Sequence, residues 1–109
     1  MTAIDICALG DIPEGGCLAV TIEETPLALV RTEGEVFAIF DRCSHADVAL
    51  SEGDVTGCEI ECWLHGSSFD LRTGEPLSLP ATVPVPVYPV IVSGDGEAAR
   101  VSVALTSAP

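Results

Sequence analysis

Two short boxes hold the residues best suited to chemistry. Cys43-Ser44-His45 is followed, after sixteen intervening residues, by Cys62-Trp63-Leu64-His65. The chain has two histidines, and both stand here, each two or three residues after a cysteine. Thiolate and imidazole are metal donors, so the pattern offers four ligands from two loops. Two tetrahedral irons bridged by two sulfides need four protein donors, two per iron, and a Cys and a His from each box meet that count. With both thiolates on one iron and both imidazoles on the other, such a centre is easier to reduce than an all-cysteine one. Zinc also accepts two Cys and two His. A zinc finger, however, groups its cysteines before its histidines, whereas the order here is Cys, His, Cys, His. A Cys–His nucleophilic pair would leave the second box unexplained and has no third orienting group.

The elements that must hold these boxes read as strands. Gly16–Ile22 alternates, with Leu18, Val20 and Ile22 on one face, the period of a half-buried strand. Residues 26–31 and Glu35–Phe40 are strand-like runs joined by Thr32-Glu33-Gly34, a hairpin signal. Residues 36–40 are apolar on both faces, which buries that strand and delivers the chain to Cys43 from inside the core. Further on, residues 85–92 and 98–105 flank Ser93-Gly94-Asp95-Gly96, a second hairpin signal. Pro84, Pro86 and Pro89 make the first of these an edge or irregular strand. No window has helical periodicity of useful length, and residues 44–53 leave room for one short helical turn. Short strands at close intervals define one all-β domain over residues 1–109. Residues 42–80 are rich in Gly, Ser, Cys, His and acids and read as loops carried by that scaffold.

Charge narrows the function. Seventeen acids face four bases, all arginine, for a net charge of −13. That sign excludes a nucleic-acid binder and suits an acidic carrier that docks on a basic partner. The N-terminus lacks the basic start and apolar run of a signal peptide. Residues 83–92, the longest apolar stretch, are interrupted by three prolines and are too short to span a bilayer. The expectation is a soluble, cytoplasmic protein with no membrane contact. Five cysteines then read as ligands or core residues. Cys58 alternates with Ile60 and Cys62 and reads as a buried small apolar residue, while Cys7 and Cys17 read as structural.

The spacing Cys-x-His, sixteen residues, Cys-x-x-His-Gly resembles the Rieske [2Fe–2S] family. So do Glu52-Gly53 before the second box and Phe69-Asp70-Leu71-Arg72-Thr73-Gly74 after it. Leu79-Pro80 is similar to the proline loop that covers the cluster in that family. The resemblance runs over residues 36–92. It implies a Rieske-type β-sandwich base with a two-loop cluster-binding subdomain, and Cys43, His45, Cys62 and His65 as ligands of one [2Fe–2S] cluster. Gly66 and Ser67 would turn backbone N–H groups toward the cluster sulfurs. Trp63 would either shield the cluster from water or anchor a partner.

Respiratory-chain members of the family carry an extra, mutually paired cysteine in each box. The matching positions here are Val48 and Leu64. The chain is therefore similar to the unbraced, low-potential ferredoxin components of ring-hydroxylating dioxygenase systems, with a potential of about −150 mV. The resemblance implies a one-electron carrier, not an enzyme, between a flavin-dependent ferredoxin reductase and a terminal oxygenase. The 29 residues after Pro80 (109 − 80) leave no room for a mononuclear iron domain. The small subunits of some nitrite reductases share the fold but lack the four ligands. An accessory ferredoxin for iron–sulfur metabolism and a structural zinc-binding module are the alternatives.

Overall fold

The computed structural model describes residues 3–44, 47–64, 66–79 and 81–105. Its strands are β1 (Ala3–Ala8), β2 (Gly16–Ile22), β3 (Thr25–Thr32), β4 (Glu35–Phe40), β5 (Asp54–Thr56), β6 (Glu59–Glu61), β7 (Ser68–Asp70), β8 (Val87–Tyr88), β9 (Val90–Ser93) and β10 (Arg100–Ala104). Short 3-10 turns at Leu9–Asp11, Leu50–Glu52 and Gly96–Ala98 are the helical content among the described residues. The second of these falls within the stretch expected to allow a helical turn. No described helix is long and apolar enough to cross a membrane.

Three antiparallel sheets are stacked around the middle one, which has the order β2-β3-β4-β8. Its alternation explains the stacking, because successive side chains leave opposite faces. Leu27 and Leu29 of β3, Val36 and Ala38 of β4, and Leu18 and Val20 of β2 enter one core with Cys7, Val101 and Val103. That core is closed by the sheet β1-β10-β9. The alternate residues Ala28, Val30, Phe37 and Ile39 enter a second core with Cys43, Leu50, Ile60, Cys62, Phe69 and Leu71, covered by the sheet β5-β6-β7. Residues 36–40 are apolar on both faces because β4 serves both cores.

The first hairpin forms as expected. β3 and β4 pair from Thr32↔Glu35 inward, and Glu33 and Gly34 both take positive φ, 55° and 75°. That combination matches the type I′ geometry whose twist suits a hairpin. The stretch 85–92 differs from expectation, being two strands and not one. β8 pairs with β4 in the middle sheet, whereas β9 pairs with β10 in the outer one. Pro89 stands at the switch, where it has no N–H to give a ladder. Its carbonyl still accepts the Ala104 N–H at 3.1 Å. Residues 42–80 also hold more regular structure than loops, since β5, β6 and β7 form a sheet of their own. Cys58 precedes β6 in a turn and is half-buried, with Arg72 Nη2 3.5 Å from its sulfur, so it is less enclosed than the alternation implied.

The third sheet packs closely on its neighbouring turn. A Cβ at Gly53 would lie 1.7 Å from the Glu61 carbonyl oxygen, a backbone atom that cannot swing away. Gly53→Ala is expected to cost about 3 kcal/mol or more, read as a lowered urea midpoint with an unchanged m-value.

Candidate metal centre

β4 ends at Phe40 and hands the chain to the first box through Asp41. The Asp41 N–H donates to the Pro26 carbonyl at 3.0 Å. Its carboxylate accepts the Ser51 N–H at 2.7 Å and the Ser51 hydroxyl at 2.6 Å. One buried side chain thus fastens both ends of the loop that carries Cys43. Inside the loop, the Cys43 N–H donates to the Val48 carbonyl at 2.9 Å, and Val48 packs on the second core. Arg42 points away and pairs with the exposed Asp47 at 3.3 Å.

β6 delivers the second box. The Cys62 N–H donates to the Ser67 carbonyl at 2.7 Å, and the Gly66 N–H donates to the Cys62 carbonyl at 3.0 Å. Gly66 has φ 77°, a left-handed conformation that favours glycine. Its N–H is therefore used in closing the loop on Cys62. Leu64, at one position where braced relatives carry a cysteine, is exposed, while Val48 at the other is a core contact.

Residues 77–79 and 81–83 are tied to both loops. Ser67 is fully buried and its hydroxyl accepts the Ala81 N–H at 3.1 Å. Ser78 Oγ accepts the Ser68 N–H at 2.9 Å and donates to the Gly66 carbonyl at 3.4 Å. The Ser44 hydroxyl donates to the Val83 carbonyl. These ties were not legible in the sequence, and neither was the Asp41 clamp, because serine and aspartate are common loop residues. His45, His65 and Pro80 lie outside the described residues.

Cys43 and Cys62 are both buried, and both belong to the second core. Neither is joined in a disulfide. Two buried cysteines in one apolar core, each at the start of a closed loop, fit the sulfur half of the donor set of a [2Fe–2S] cluster. The other cysteines differ. Cys7 is buried in the first core, on the far side of the middle sheet. The Cys17 thiol donates to the Ser51 carbonyl at 3.0 Å. Burial, followed by the nearby Asp41 charge, pushes the Cys17 thiol up, and burial pushes up that of Cys7.

The comparisons agree with this geometry. A family model described as the Rieske [2Fe–2S] domain matches residues 2–89, and the chain belongs to that family. The ferredoxin subunit of 3-phenylpropionate/cinnamic acid dioxygenase from Photorhabdus laumondii is 46% identical over 94 residues, covering 84% of this chain and 88% of the relative. The ferredoxin of carbazole 1,9a-dioxygenase from Nocardioides aromaticivorans superimposes with a TM-score of 0.86 at 35% identity, covering 97% of this chain and all of that one. A chain in the complex of reduced oxygenase and oxidised ferredoxin of carbazole 1,9a-dioxygenase gives a TM-score of 0.79 at 34% identity, covering 93% and 92% of the two chains. The protein is thus a ferredoxin-type electron carrier with one Rieske [2Fe–2S] cluster, and not itself a catalyst. The zinc-module alternative is set aside.

The two raised thiols give a checkable outcome. A raised pKa leaves little thiolate at pH 8, and thiolate is the reactive form. Iodoacetamide at that pH is expected to modify Cys7 and Cys17 slowly in the folded protein and readily once it is unfolded in urea, as followed by peptide mass mapping.

Proposed function

We propose that Cys43 and Cys62 hold one iron of the cluster and His45 and His65 the other, within a single domain whose cluster-bearing part is residues 42–80. When bound, the cluster accepts and returns one electron. The chain's own residues hold the two loops, bury the thiols and present a docking face. The observation that carries this reading is the burial of Cys43 and Cys62 together in one core, each at the start of a loop closed by backbone hydrogen bonds.

We further infer that the chain takes its electron from a flavin-dependent ferredoxin reductase in the cytoplasm and passes it to a terminal oxygenase. Trp63 is 52% exposed, and Leu64, Leu77, Leu79 and Val83 are exposed as well. These residues sit on the second loop and on the segment hydrogen-bonded to both loops. Exposed apolar side chains of this size suit a partner. Charge favours a basic acceptor. Each of the four arginines pairs with an acid, namely Arg31–Glu97, Arg42–Asp47, Arg72–Glu35 and Arg100–Asp5. Thirteen acids remain without an arginine partner. The exposure of Trp63 favours the partner-anchoring role over the shielding one.

The purified protein is expected to be red-brown, to show a Rieske electron paramagnetic resonance signal when reduced, and to titrate near about −150 mV. Cys43→Ser and Cys62→Ser should each lose the signal, while Cys7→Ser, Cys17→Ser and Cys58→Ser keep it. A colourless protein, or a clearly positive potential, would overturn the reading.

Docking has its own test. Trp63→Ala should raise the Kd for a ring-hydroxylating terminal oxygenase about tenfold, as expected for an aromatic anchor, with the potential unmoved. Isothermal calorimetry at low and high salt should also show affinity falling as salt rises.

A further inference from the structure

Among the described residues, Asp41 is the one buried side chain that bears a charge, at 4% exposure. Clamping the first loop requires only a hydrogen-bond acceptor, and a neutral side chain could supply one. Instead, both carboxylate oxygens accept: Oδ1 takes the Ser51 N–H at 2.7 Å and Oδ2 the Ser51 hydroxyl at 2.6 Å. Both oxygens thus serve as acceptors, and neither is seen donating.

The charge has no cation on it among the described residues. Arg42, its sequence neighbour, donates to the Asp41 main-chain carbonyl at 3.3 Å and pairs with Asp47, also at 3.3 Å. The other three arginines are engaged by Glu97, Glu35 and Asp5. The carboxylate is also close to the metal centre. Two trans peptide units hold its Cα at most about 7.6 Å from that of Cys43, and a charge separation on the order of 10 Å serves for the arithmetic. At an effective dielectric constant of about 20, a unit charge at that distance shifts a one-electron equilibrium by about tenfold. Burial shields the effect from salt.

We propose that Asp41 is a potential-setting residue: its hydrogen bonds position the first loop, and its fixed negative charge opposes the arrival of an electron, holding the potential low. The inference rests on Cys43 being a ligand. One electron enters from the titrant.

The test is a mediated redox titration of the full-length, cluster-loaded protein, poised with dithionite and followed by electron paramagnetic resonance. Asp41→Asn keeps an acceptor for the Ser51 N–H and removes the charge. It should raise the reduced fraction at fixed poise about tenfold, equivalent to about 59 mV for one electron, with the spectrum unchanged. Asp41→Ser is a second neutral variant and should move the same way. Asp41→Glu, which keeps the charge, and Ser51→Ala, which removes only the hydroxyl bond, should stay within about twofold of the parent.

An unmoved potential in a loaded neutral variant would overturn the proposal. So would a rise in Asp41→Glu equal to that in Asp41→Asn. If both neutral variants fail to load while the parent loads, the separation of clamp from charge is wrong and the proposal falls. If the parent lacks a Rieske signal, or Cys43→Ser retains one, it is the ligand assignment that fails, and the two failures are told apart.

Discussion

Thiolates are anions, and an apolar core is a poor place for them unless their charge is compensated and their surroundings are fixed. Cys43 and Cys62 stand in such a core beside Leu50, Ile60 and Phe69. Much of the local architecture can be understood as meeting that constraint. In the proposed ligand set positive iron would compensate the sulfur charge, and main-chain bonds fix each cysteine backbone, through Val48 for Cys43 and through Ser67 and Gly66 for Cys62. Where some relatives use a disulfide to hold the two loops, this chain uses a buried carboxylate at one end, a buried serine at the other, and a third segment tied across both by serine hydroxyls. Hydrogen bonds of this kind are individually modest. Their effect comes from being closed on one another in a buried region, where a lost partner is expensive.

Away from the thiols, the molecule is organised by charge. Every arginine is paired with an acid, so the surplus charge is negative throughout. In the proposed docking role, that charge would supply orientation and the exposed Trp63 would supply residence through contact, and these are separable contributions to an encounter.

The strands of the middle sheet were legible in the sequence because alternation and a Glu-Gly turn report directly on strand and hairpin geometry. The two cysteine boxes stand out because their residue types are rare in the chain and repeat at donor spacing; of the four residues, Cys43 and Cys62 share one core, and His45 and His65 lie outside the described residues. Two features were not legible. The division of residues 85–92 between two sheets depends on where Pro89 falls relative to β4 and β10, which is a tertiary fact. Asp41 is one acid among seventeen, and only burial and its bonds to Ser51 distinguish it. Cys58 was misjudged for a related reason. Alternation assigns a face but not depth, and a residue in the turn before β6 leaves the core even when its parity points inward.

The sharing of the middle sheet between two cores has a consequence for how such a chain can diverge. On β3, Ala28 and Val30 look toward the thiols while Leu27 and Leu29 look toward the outer sheet. Along a single eight-residue strand, changes at Leu27 and Leu29 alter packing against the outer sheet, and changes at Ala28 and Val30 alter packing around Cys43 and Cys62. The surroundings of the two cysteines can therefore be repacked from this strand without touching the opposite core.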